Sequence, residues 1–291
     1  MKIVLINPYR GIGDLIFHLP LIKGLFNKYN KKIILLTNKN NKAKQLLKNE
    51  KELSTIKYVN FDRENTFLNS IRLIKEINYF KPNIVVLSAN SKRLVIPVLF
   101  CRSKKKIFFE IHNKDISKFI YLNSKAILGK YFKKNYKLSH INKSSHGKNI
   151  FINVDSFHDQ NNWDIENFKI LIFSLLKKRK KFMIYLNLMP TKKKLIKELK
   201  NIFFFSKNIT FTHNVTFKNL ISIINNCNYV ISNESGPVCI GASLGKRVFS
   251  IYSPLHTPHL SSKIIDKNIS YFNSDKKNPT KIIKILLNKI N

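Results

Sequence analysis

The chain opens with MKIVLINPYRGIGDLIFHLPLIKGLFNKYNKKIILLT, residues 1–37, and this stretch decides the fold. Residues 2–8 read as a strand around the unbroken Ile/Val/Leu run 3–6. Residues 15–29 carry apolar side chains at helical spacing, and 32–37 reads as a strand around the continuous apolar run 33–36. A strand buried on one face alternates apolar and polar residues, whereas a strand covered on both faces by helices does not. The opening is therefore a strand, a glycine turn, a helix and a parallel strand.

The same rhythm runs on. Residues 55–60, 83–88 and 105–111 read as strands, and 42–48, 67–77 and 93–100 as helices. The polar stretch KLSHINKSSHGK at 137–148 reads as a linker. A second series follows, with strands at 149–154, 181–188, 208–212, 229–232 and 247–252 and helices at 165–178, 192–201, 216–226 and 237–244. This predicts an α/β protein of two Rossmann-like, doubly wound parallel-sheet domains, 1–140 and 149–278, with a cleft between them. A closing helix over 279–291 is expected to pack back toward the first domain.

The chain has 291 residues, 53 Lys and Arg against 16 Asp and Glu, and a formal charge of +37. Residues 1–148 carry +23 of it and 149–291 carry +14. The charge is spread rather than gathered in a tail or an RNA-binding motif, and an AT-rich coding bias toward Lys, Asn and Ile would produce that pattern with no ligand involved. Nucleic acid is therefore not the expected partner. An anionic membrane surface or an anionic substrate fits better. The three cysteines form no paired framework, and no signal peptide or spanning segment is evident, so the reading is a soluble cytoplasmic protein. The stretch 116–134 is basic and amphipathic. Ile116, Phe119, Ile120, Ile127 and Tyr131 share a face there among lysines, as a packed helix or a membrane-surface helix would.

Three motifs carry chemistry. Arg10-Gly11-Ile12-Gly13-Asp14 follows the first strand and opens the first helix, where backbone N–H groups can approach an anion. It is neither a dinucleotide fingerprint nor a P-loop. Asp14 reads either as the helix N-cap or as a general base. Ser232-Asn233-Glu234-Ser235-Gly236-Pro237 is a strand–turn–helix anion site, suited to a diphosphate. Gly241 and Gly245 behind it suit close packing and a helix C-cap. Within residues 156–171, Asp164 is a helix N-cap, and Trp163 reads as a packing anchor or as a ligand contact. His256 and His259 lack a carboxylate or Cys partner, so no metal site is expected.

In this order and spacing the motifs resemble glycosyltransferase family 9, the ADP-heptose:lipopolysaccharide heptosyltransferases. Gly11-Ile12-Gly13-Asp14 is similar to that family's first turn. Asn161-Asn162-Trp163-Asp164 stands at its Lys-x-Trp-Pro segment. The stretch from Asn233 to Cys239 stands at its Asn-Asp-Thr-Gly-Pro-x-His signature, and Tyr252-Ser253-Pro254 at its Gly-Pro-Thr turn. The resemblance implies a GT-B fold and inverting, metal-independent transfer of heptose or a related sugar. The donor would be a nucleotide sugar, ADP-linked by the family's habit. The acceptor would be the lipopolysaccharide core or another lipid-linked glycan, held by the first domain at the cytoplasmic face of the inner membrane. No cofactor is implied. Asp14 falls on the family's general base. Gly13, Ser156, Glu234, Ser235, Gly236 and Pro237 fall on or beside the donor site. The family's phosphate-contacting Lys is Asn161 here and its His is Cys239; Arg10, His158, Asn161 and Lys246 are the candidate phosphate or acceptor contacts. The other readings are a non-hydrolysing sugar-nucleotide epimerase, a catalytically degraded GT-B binding module and, last, a basic nucleic-acid binder.

Overall fold

The structure is a computed structural model that describes residues 1–61, 64, 66–139, 149–156, 162–178, 182–252, 265–266, 269–273 and 279–290. The chain divides into two compact units, Met1–Ser139 and His140–Asn291. The division falls within the stretch read as a linker, of which residues 140–148 lie outside the described residues.

The first unit is built on a parallel sheet of β1 (Ile3–Asn7), β2 (Ile33–Thr37), β3 (Leu53–Tyr58), β4 (Ile84–Leu87) and β5 (Lys105–Phe108), in the order β3-β2-β1-β4-β5. β1 is central and wholly buried, with Ile3 level with both Ile33 and Ile84. Helices α1 (Ile12–Phe17), α2 (Leu19–Tyr29), α3 (Ala43–Leu46), α4 (Thr66–Tyr79), α5 (Lys92–Phe100) and α6 (Ile116–Leu128) connect and cover it. The strand order reverses between β1 and β4. Open α/β sheets bind ligands at such a switch point, beyond the carboxyl ends of the strands.

One expectation is corrected here, and one open alternative is narrowed. The helix read over 15–29 is two helices, broken at His18. Pro20 has no N–H to give to the preceding turn, which ends one helix and sits well in the first turn of the next. Of the two readings of 116–134, packing accounts for the middle of the face. Phe119, Ile120 and Leu128 are buried, and α6 lies on α1 and α2. Ile116, at the start of the same face, stays 43% exposed, and Ile127 and Tyr131 are half-buried.

The second unit has six parallel strands: β6 (Asn149–Asn153), β7 (Met183–Asn187), β8 (Ile209–Phe211), β9 (Tyr229–Asn233), β10 (Arg247–Tyr252) and β11 (Ser270–Asn273), in the order β11-β10-β9-β6-β7-β8. β11 is short and half polar and was not expected from the sequence. Helices α7 (Ile165–Lys177), α8 (Lys193–Ile202), α9 (Phe217–Asn225), α10 (Gly236–Ser243) and α11 (Pro279–Lys289) complete it. The order reverses between β6 and β9, which places a second switch point where Asn153 stands level with Ser232. The closing helix α11 was expected to return toward the first unit. It buries Ile282, Ile283 and Leu286 in the core of the second unit, against α7.

Candidate active site

In the first unit the chain leaves β1 at Asn7, turns through Pro8, Tyr9 and Arg10, and enters α1 with Gly11 as the N-cap. Asp14 is thus not the N-cap but the third helical residue. From there its carboxylate reaches back to accept the Gly11 N–H, as the third residue of a capping box does. The approach is close: a Cβ on Gly11 would stand 2.6 Å from Asp14 Oδ2. Burial raises the Asp14 carboxyl above the ordinary carboxylate range, and the Gly11 N–H pulls partly back. Tyr9 lies beside it, its phenol pushed up first by burial and then by the Asp14 charge. His18 is fully buried, with its ring 5.9 Å from that of Tyr9. Its Nδ1 lies 2.7 Å from the Asp14 carbonyl, which can only accept, so Nδ1 carries the proton. Nε2 then has a bare lone pair without a partner among the described residues, and burial lowers the pKa to about 4.

Beside Tyr9, beyond the carboxyl ends of β1, β4 and β5, lies a pocket of about 460 Å³ lined by Tyr9, Asn90, His112, Asn113, Lys114 and Phe119. Asn90 Nδ2 and His112 Nδ1 lie 2.8 Å apart on its wall. An aromatic ring, amides and a cation around an open cavity suit a hydroxylated, negatively charged ligand.

In the second unit the carboxyl ends of four strands are joined by side chains. Thr212 Oγ1 donates to Asn187 Oδ1 (3.0 Å), Asn187 Nδ2 to Asn153 Oδ1 (2.7 Å), and Asn153 Nδ2 to Ser232 Oγ (3.2 Å). Asn233, with no exposed surface, is the hub beside them. Its Oδ1 accepts the Trp163 N–H (2.9 Å), and its Nδ2 donates to the Val154 carbonyl (3.0 Å) and to Asn162 Oδ1 (3.2 Å). These bonds fix the turn that leads into α10. Ser235 is its N-cap, yet its hydroxyl is engaged with the Asn233 carbonyl and Ser232 Oγ, both at 2.9 Å. The first turn of α10 therefore has no side-chain cap. The Glu234 carboxylate accepts from Ser250 Oγ at 3.1 Å. An uncapped helix start at the end of a parallel strand offers backbone donors and a positive dipole end to an anion.

The structure brings Ser156, Glu234, Ser235, Gly236 and Pro237 to this one end of the second sheet, since Ser156 follows β6 and the others follow β9. Asp14 and Gly13 share the first turn of α1, with the exposed Arg10 just before it. Lys246 does not belong to this group. It enters β10 at the amino end of the sheet, where its ammonium donates to the Asn225 carbonyl. His158, Asn161, Ser253, Pro254, His256 and His259 lie outside the described residues. The Trp163 ring is core, edge-on to Phe168 at 4.9 Å, and Asp164 caps α7 through the Glu166 N–H (3.1 Å). Gly245 has φ 73°. The bonds Lys246 N–H to Gly241 O and Gly245 N–H to Ala242 O close α10 in a Schellman motif. The reading from sequence missed Asn153, Asn187, Thr212 and the Tyr9 pocket. A signal was present, because Asn153, Asn187 and Thr212 each interrupt or close a mainly apolar run at its carboxyl end.

The model of glycosyltransferase family 9 (heptosyltransferase) matches residues 123–285. No curated protein matches the chain by sequence. Among solved structures, an E. coli heptosyltransferase, WaaC, with ADP superposes with a TM-score of 0.76 at 12% identity, covering 100% of both chains. A family 9 glycosyltransferase from Veillonella parvula gives 0.72 at 15% identity over 97% of this chain and 89% of that one. The UDP-GlcNAc 2-epimerase of Methanocaldococcus jannaschii gives 0.62 at 14%, over 99% and 93%. At these identities the superpositions establish a shared fold, the GT-B arrangement of two parallel α/β sheets, and the family match extends over more than half of the sequence. The chain therefore belongs to glycosyltransferase family 9, the heptosyltransferase family.

Proposed function

We propose that this protein transfers heptose or a related sugar, with inversion and without a metal ion, from an ADP-linked donor to a lipid-linked glycan at the cytoplasmic face of the inner membrane. The observation that carries the reading is Asp14. It is a carboxylate raised by burial and oriented by a single backbone N–H, beside Tyr9 and the pocket that Tyr9 lines. A general base is most effective when burial brings its pKa toward the working pH. In the reaction Asp14 takes the proton of the acceptor hydroxyl. That oxygen bonds to the anomeric carbon, and the bond from this carbon to the phosphate oxygen breaks. The departing diphosphate keeps the electron pair, and the start of α10 stabilises its charge through backbone donors and the helix dipole. Ser156 and Glu234 hold the donor beside that turn, and the Tyr9 pocket holds the acceptor sugar. The donor binding seen in the WaaC structures, with ADP and with ADP-2-deoxy-2-fluoro heptose, supports an adenine-linked donor here.

A melting screen against ADP-, GDP-, UDP- and CMP-linked sugars tests the donor, and turnover of Asp14→Asn tests the base. The ADP-linked sugar should raise Tm more than the others. Asp14→Asn should keep that shift while losing at least ~10²-fold in turnover. Full turnover by Asp14→Asn ends the assignment of the base.

A further inference from the structure

On the first unit, α5 buries Leu94, Pro97 and Val98 beneath α4 but leaves Ile96, Leu99 and Phe100 to solvent, 53%, 54% and 73% exposed. Their spacing of three and four residues places them side by side on one helical face, and the exposed Lys92 stands one turn earlier on it. On the neighbouring α4, Phe67 and Leu68 are exposed as well. Three large apolar side chains side by side on one exposed helical face, rimmed by polar groups, mark an interaction site rather than ordinary surface.

The surroundings identify the partner. From Ile77 to Phe109 the chain has no Asp or Glu but has Lys81, Lys92, Arg93, Arg102, Lys104, Lys105 and Lys106. Lys92, Arg102, Lys104 and Lys105 are exposed at the two ends of the helix. Of the carboxylates bracketing this stretch, Glu76 is paired with Lys57. A second copy of the chain would bring these cations against one another, in a protein already at +37. A nucleic acid would neutralise the cations but leave Ile96, Leu99 and Phe100 in water. A bilayer with anionic headgroups satisfies both features, taking the apolar side chains below the headgroups and the lysines among them.

We propose that the α5 face, with Ile96, Leu99 and Phe100 as its apolar wedge and Lys92, Arg102 and Lys104 as its rim, docks the protein on an anionic lipid bilayer. This role places the membrane contact on α5 rather than on α6, whose Phe119 and Ile120 are used in packing, and it stands whether or not the chain transfers a sugar. Sedimentation of the full chain with phosphatidylcholine vesicles, with and without about a third phosphatidylglycerol, tests it. The wild type should bind the anionic vesicles, and about 0.5 M salt should weaken that binding at least ~10-fold. Ile96→Ser/Leu99→Ser/Phe100→Ser should lower the partition about 100-fold. Lys92→Glu/Lys104→Glu, fully on the surface and safe for folding, should lower it at least ~10-fold. Phe204→Ser/Phe205→Ser, an exposed aromatic pair on the second unit, should change nothing. The proposal is overturned if the wild type ignores anionic vesicles at low salt. It is equally overturned if the charge-reversed variant binds as well as the wild type, if the loss follows Phe204 and Phe205 instead, or if the α5 substitutions abolish a dimer but not vesicle binding.

Discussion

Replacing Gly11 with Ala would put a methyl group into the space the Asp14 carboxylate occupies, 2.6 Å from Oδ2 and 3.2 Å from Cγ. The backbone accepts the change, since Gly11 has φ −75° and ψ 144°, an ordinary extended conformation. The carboxylate is therefore what moves, and it loses the Gly11 N–H. A hydrogen bond to a charged group contributes about 1.5–3 kcal/mol. Losing it lowers the ionised fraction of Asp14 at least about tenfold at any pH below its titration. Burial already raises this carboxyl and the lost N–H is the group opposing that rise, so both effects push the same way. In a pH profile of kcat/KM, the acid limb of Gly11→Ala should lie at higher pH than that of the wild type. Asp14→Asn should show no limb from this group. Stability supplies an independent check. A carboxyl whose folded pKa lies above its unfolded value lends stability that is present below the unfolded pKa and lost as pH rises through the folded one. Asp14→Asn should accordingly exceed the wild type in urea denaturation at neutral pH, with the advantage vanishing in acid. An unmoved limb in Gly11→Ala, or a stability difference independent of pH, would refute the reasoning.

Asn233→Ala leaves the Trp163 N–H and the Val154 carbonyl buried without their partner, at about 1–3 kcal/mol each. The midpoint of unfolding should fall by an amount matching roughly 3 kcal/mol, and the emission of Trp163, the chain's single tryptophan, should shift to the red. Lys246→Ala should leave the affinity for the nucleotide within about twofold in calorimetry, because its ammonium is held by Asn225 at the amino end of the sheet. A tenfold loss would return Lys246 to the phosphate site.

The central strands β1, β2, β4, β6 and β9 were legible because burial on both faces leaves an apolar run, as in residues 3–6, and such a run means the same in one dimension as in three; the half-polar β11 carries no such run. The turn before α10 was legible for a similar reason, since Ser-Gly-Pro after a strand has few other uses. Lys246 shows the limit. It follows Gly236 by only ten residues, yet α10 lies between them, and eight helical residues rise about 12 Å. Closeness in sequence thus became opposite ends of a sheet. The strand-end amides failed differently. Asn153, Asn187 and Thr212 each look like an ordinary polar residue closing a strand, and only the parallel register sets them side by side. The break at His18 was half visible. Pro20 announces a helix start, but the apolar spacing continues across it unchanged and hides the end of α1.

That break bears on the carboxylate itself. In an unbroken helix the His18 N–H would bond the Asp14 carbonyl, but here it turns to Leu15 O at 3.1 Å. The His18 ring supplies the replacement, Nδ1 to Asp14 O at 2.7 Å, so the residue carrying the carboxylate is held at both ends, by Gly11 and by His18. Proton transfer is not asked of His18. With its pKa lowered to about 4 by burial it is neutral at working pH, and no limb near 6.5 should appear in the rate profile. Its cost appears in stability. The unfolded imidazole binds a proton that the folded one refuses, so stability is complete above about 6.5 and falls as pH drops toward 4, by an amount on the order of 3 kcal/mol. His18→Gln can still donate to the Asp14 carbonyl but does not titrate. It should keep most of the turnover while losing this acid sensitivity in urea denaturation. Loss of turnover with the acid sensitivity intact would mean that His18 takes part in the chemistry instead.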